Sequence, residues 1–131
     1  MSEYVAQHGG THYEKGAYQH WDWVLDTGLG YFEGNATKYI VRHRNKNGLE
    51  DIRKARTYIE KLMTKIVAVL PAGQRPGRYA PLTEAIVREY SLENMEARFV
   101  RLVDRWESRS DLVSALALVD QMIMQHPDRD A

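Results

Sequence analysis

Cysteine is absent from the 131 residues, which excludes a disulfide framework, a thiol nucleophile and any zinc site built on cysteine. Net charge is missing too: 18 Lys and Arg balance 18 Asp and Glu. No apolar run approaches the roughly 20 residues that a bilayer requires. Met1-Ser2-Glu3-Tyr4 opens without a basic stretch or an apolar leader, so neither secretion nor membrane insertion is expected and the reading is a cytoplasmic protein. No Gly-Lys-Ser/Thr occurs, and Gly28-Leu29-Gly30-Tyr31-Phe32-Glu33-Gly34 has neither the glycine spacing nor the preceding strand of a dinucleotide fingerprint or P-loop. Strand-like alternation, internal repeats and low-complexity tracts are also lacking, so the expected class is all-α. Proline is scarce and clustered. Pro71, Pro76 and Pro81, with Gly73 and Gly77, make 71–81 the clearest linker. It divides a module at 1–70 from a helical extension of the same domain at 82–131.

Helical periodicity is abundant. Tyr18, Trp21, Val24 and Leu25 recur at helix spacing from Ala17 to Thr27, and Gly28 ends that helix. Trp21 and Trp23 cannot both enter one core. Asn35 is a favoured N-cap, so a helix is expected from 35 to 46, stopped by Asn47-Gly48. A longer helix follows over 49–70, with Ile52, Ala55, Ile59, Leu62, Ile66 and Val69 on one stripe. These two form a central helical hairpin. After the linker, Leu82 to Tyr90 reads as a short helix, Ser91 as the cap of another through Trp106, and Asp111 as the opening of a last one ending before His126-Pro127. The later helices cover the hairpin or pair with another subunit.

The even charge conceals an asymmetry. Between Lys38 and Lys65 nine Lys or Arg stand against three acids, an excess of six. Such a cationic pair of helices attracts phosphates, on free nucleotides or on a nucleic-acid backbone. On the first hairpin helix Lys38 and Arg42 lie one turn apart beside Tyr39. The helix start at Asn35 to Thr37 would offer amide donors to a phosphate. Asp51 sits where a helix dipole favours an acid; it either contacts magnesium or pairs with Arg53, Lys54, Lys38 or Arg42. His12-Tyr13 reads as a substrate-contacting pair, from a stacking face and a donor. Glu93-x-x-Glu96 has the spacing of a magnesium-binding carboxylate pair, yet beside Arg98 and Arg101 it reads as a surface face.

His12-Tyr13, Asp22, Phe32-x-Gly34-Asn35-Ala36-x-Lys38-Tyr39-Ile40-x-Arg42, Lys46-x-Gly48 and Asp51-Ile52-x-Lys54-Ala55-x-x-Tyr58-Ile59 follow in order. This pattern resembles a small tailed-phage family of domains of unknown function that includes a phage nucleotide kinase. It spans roughly residues 12 to 63, and His43 and Arg44 stand where such proteins often carry small residues. The resemblance implies a compact helical module and transfer of phosphate from ATP or another NTP to a deoxynucleoside monophosphate, dTMP or dGMP, without a P-loop. Lys38, Arg42 and Asp51 are then the catalytic candidates. His12, Tyr13, Asp22, Asn35, Tyr39, Arg44 and Lys54 are the substrate-binding ones, with Mg2+ expected beside Asp22 or Asp51. Phosphoryl transfer asks mainly for positioning and for cations around developing charge. The chain is short to hold two nucleotides in one subunit, so a homo-oligomer with a shared site is expected. A non-catalytic nucleotide binder and a nucleic-acid- or protein-binding helical module are the alternatives.

Overall fold

The computed structural model describes residues 18–129. Among them are six α-helices and three short 3₁₀ turns, with no strand. The α-helices are α1 (His20–Thr27), α2 (Tyr31–Arg42), α3 (Leu49–Thr64), α4 (Ala80–Glu89), α5 (Asn94–Arg105) and α6 (Arg109–Gln125). The all-α expectation holds.

The central hairpin forms from α2 and α3, joined by a 3₁₀ turn at His43–Asn45. Its apolar stripes leave water together: Ala36, Ile40, Ile52, Ala55, Ile59 and Leu62 are all buried. At the usual ~25 cal/mol per Å² of apolar surface, each large side chain so placed contributes about 1.5–3 kcal/mol. The second half covers this pair. α6 packs along α3 through Leu112, Ala115 and Val119, and α5 bridges α2 and α6 through Phe99, Val100 and Val103.

Several boundaries move. α2 begins at Tyr31 behind Gly30, a full turn before Asn35, so Asn35 is no N-cap: its amide donates to the Tyr31 carbonyl at 2.9 Å. Tertiary contact sets this start. Leu29 is buried just ahead of it, and Glu33, an acid in the first turn, is buried and accepts from the Trp106 indole at 2.8 Å. Gly34, ahead of the helix expected from 35, lies inside α2, where a side chain would meet Val24 of α1 at 3.7 Å. Ser91 sits in a turn with φ +51°, and α5 starts instead at Asn94, with Glu93 and Glu96 forming a capping box. Asp111 is the third residue of α6 rather than its opening, and accepts from the Glu107 N–H at 2.8 Å. α3 ends at Thr64, with a 3₁₀ turn at Ile66–Ala68 beyond it.

The proline-rich segment is packed into the fold. Ala72–Gln74 is a 3₁₀ turn, and Arg75 is buried. Its guanidinium donates to the carbonyls of Thr27, Ala72 and Asp104, each at 2.7 Å, and to the Asp104 carboxylate. One side chain thus caps the C-terminal ends of α1 and α5, whose last carbonyls have no helical partners. Trp23 fills the core and donates to the Thr83 hydroxyl at 3.1 Å, whereas Trp21 is 54% exposed.

Candidate functional site

Along α2, Lys38, Tyr39 and Arg42 occupy adjoining positions, and α3 runs beside them carrying Lys54 and Tyr58. The hairpin brings these five together. The Tyr39 ring stacks on Tyr58 at 5.9 Å with an 18° interplanar angle, and Tyr58 meets Tyr31 edge-on at 6.1 Å. Around Tyr39 stand the Lys38 ammonium at 4.7 Å, the Arg42 guanidinium at 4.6 Å and the Lys54 ammonium at 5.4 Å. A single cation over a tyrosine is worth about 0.5–1 kcal/mol at an exposed site. Three like charges about one ring repel one another, so an anion that enters among them is stabilised.

One acid approaches this cluster, from beneath. Asp51 is fully buried; it accepts from Arg42 Nη2 at 3.2 Å and Arg42 Nε at 3.4 Å. It also accepts from the Asn47 N–H at 3.0 Å, tying the turn to the start of α3. Burial pushes the Asp51 carboxyl up, but hydrogen bonds from Arg42 and the Asn47 N–H, with Lys54 nearby, hold it below the usual carboxylate range. Of the pairings open to Asp51, the one across the hairpin to Arg42 is realised. Both oxygens take part in these bonds, Oδ1 in one and Oδ2 in two. With Asp51 matched by Arg42, Lys38 and Lys54 form no ion pair among the described residues and stand beside an aromatic stack.

Other sequence candidates fall elsewhere. Asn35 is spent on the Tyr31 carbonyl, and no helix start lies at 35–37, so the expected amide grip on phosphate does not exist there. Asp22 accepts from the Gln19 N–H at 3.0 Å and serves the first turn of α1. Arg44 leaves the Tyr39 face for α5, pairing with Glu96 at 2.7 Å and Glu93 at 3.4 Å. His12 and Tyr13 lie outside the described residues. Glu96 is buried rather than on a surface face: it also pairs with His43 Nε2 and accepts from the Glu93 N–H at 3.0 Å. Burial raises the Glu96 carboxyl, and the His43 and Glu93 hydrogen bonds with Arg44 reverse this, leaving it below its ordinary value.

Two contributors were not singled out from sequence. Tyr31 lies ahead of the helix expected from 35, and only the earlier start of α2 carries it to Tyr58. His20 lies behind the face, its Nε2 at 2.8 Å from the Thr37 hydroxyl and its N–H donating to Tyr90 at 2.9 Å. Burial, with Lys38 close by, pushes the imidazole down to about 4. It is therefore neutral near pH 7, and the positive charge of the face comes from lysine and arginine alone.

Residues 8–60 match the model of a family described as a protein of unknown function, DUF3310. No curated protein and no solved structure matches the chain. The matched segment contains α1, α2 and most of α3, and so the whole Tyr39 cluster; α4 to α6 lie beyond it. No described helix is long and apolar enough to cross a membrane.

Proposed function

We propose that this chain binds nucleotides on the Tyr39 face of the hairpin, with phosphates taken by Lys38, Lys54 and the outer edge of Arg42. The base would lie against the tyrosine cluster, where Tyr31 is 69% exposed. The observation that carries this reading is the convergence of three cations on a stacked tyrosine beside an acid, Asp51, that is already paired with Arg42. Base–aromatic stacking contributes about 1–3 kcal/mol per base, and two unmatched cations suit the charge of a nucleoside monophosphate.

The reaction we propose for the face is phosphoryl transfer from ATP or another NTP to dTMP or dGMP, in a phage protein acting in its host's cytoplasm. Lys38 and Arg42 would stabilise charge on the transferring group. The magnesium would arrive on the donor's own phosphates, because Asp51 is fully buried and paired with Arg42. A second copy of the chain would supply the rest of the two-nucleotide site. A second reading, a nucleotide binder without turnover, draws on the same cations and tyrosines, and the burial of Asp51 under Arg42 favours it by leaving that carboxylate out of reach of a bound magnesium. Incubating the protein with labelled ATP, magnesium and each dNMP separates the two. Labelled dNDP supports the kinase, saturable binding without dNDP supports the binder, and the absence of binding overturns both.

A further inference from the structure

At the far end of the hairpin the 3₁₀ turn, α5 and the end of α6 enclose a second cavity of about 240 Å³. Its apolar wall is Ile52, Met95, Met122 and Pro127, and two imidazoles, His43 and His126, line it with them. The sequence set His43 apart, and the Tyr39 face makes no use of either ring.

Each ring has one nitrogen engaged in a hydrogen bond. His43 Nε2 lies 2.5 Å from the Glu96 carboxylate and donates to it. His126 Nδ1 accepts from the Asp128 N–H at 3.1 Å, which places that ring's proton on Nε2. Among the described residues the second nitrogen of each imidazole has no hydrogen bond, and both rings line a cavity whose wall holds two methionines. At the rim Arg44 pairs with Glu93 and Glu96.

We propose that this cavity binds a small heteroaromatic molecule that hydrogen-bonds to His43 Nδ1 and to His126 Nε2–H. Its volume is below the roughly 300 Å³ at which pockets for drug-sized ligands begin, which restricts the ligand to one or two rings. Flat rings also suit the thioethers of Met95 and Met122, which contact aromatic edges favourably. The inference stands on the cavity alone and is independent of nucleotide binding at Tyr39.

The test uses indazole, a two-ring molecule with one N–H donor and one ring-nitrogen acceptor, titrated into the full chain at pH 7.5. Imidazole and methionine-methyl NMR signals are followed. Saturable shifts at His43, His126, Met95 and Met122 are expected. His126→Leu, which keeps the cavity apolar, should weaken indazole about tenfold, the equivalent of one lost hydrogen bond. Met95→Trp, at the half-buried rim, should fill the space and abolish the shifts while the rest of the spectrum stays native. No saturable shift in the wild type, or equal indazole affinity in a folded Met95→Trp, would overturn the proposal.

Discussion

His20 is half-buried and neutral, against Thr37, Trp23 and the Lys38 ammonium. An unfolded imidazole titrates near 6.5 and this one near 4. Between those values the unfolded chain binds the extra proton, so the contribution is complete above about pH 6.5 and is lost as pH falls toward 4. At about 1.4 kcal/mol per pKa unit it amounts to up to roughly 3 kcal/mol. Urea midpoints at pH 7.5 and 5 should differ in the wild type, and much less in His20→Gln. Arg75 represents the opposite case, a buried charge that makes four hydrogen bonds. Arg75→Met strands the carbonyls of Thr27 and Ala72 and leaves the buried Asp104 to Arg78 alone, so a loss of about 3–5 kcal/mol is expected in denaturant unfolding. Neither role was legible in the sequence. A histidine one residue from Trp21 carries no mark of burial, and an arginine between Gln74 and Pro76 reads as a solvated loop until α5 is laid over it.

The helices were legible as elements because their apolar stripes are long and regular, as Ile52, Ala55, Ile59 and Leu62 show on α3. Their starts were read less well. Asn35 and Ser91 have the side chains of caps, but α2 is anchored by buried Leu29 and Glu33, and α5 by the Glu93–Glu96 box. Local cap chemistry lost to tertiary packing in the first instance and to a competing cap in the second. Gly48 was read correctly as a stop and has a further role. With φ +55° and ψ −119° it occupies a backbone region that only glycine enters easily, and a methyl there would have its nearest neighbour at 3.6 Å. The cost of Gly48→Ala is therefore one of backbone strain and not of space, about 1–3 kcal/mol. Gly28, at φ +66° and ψ 32°, lies in the left-handed region that asparagine tolerates. Thermal melts should show Gly28→Asn nearly neutral and Gly48→Asn destabilised.

Across the molecule, charge and packing divide differently from the chain. The cationic excess of 38–65 was visible in the sequence, but its distribution was not. Arg56 is matched by Asp120 of α6 and by Glu60, Arg44 by Glu93 and Glu96, and Arg42 by Asp51. Among the described residues Lys38 and Lys54 form no ion pair, and they meet at Tyr39. Acids of the second half thus match Arg44 and Arg56, while Asp51 matches Arg42 from within the hairpin. The proposed anion site accordingly lies on the side of the hairpin and not at a helix start. The most direct test is calorimetric titration of ATP, dTMP and dGMP into the wild type, into Lys38→Glu/Lys54→Glu, and into Lys61→Glu, an exposed charge reversal elsewhere on α3. The account predicts a loss of more than tenfold in affinity for the double variant alone, a change above 1.4 kcal/mol, with its circular dichroism and melting unchanged. Equal nucleotide affinity in all three folded proteins would contradict it.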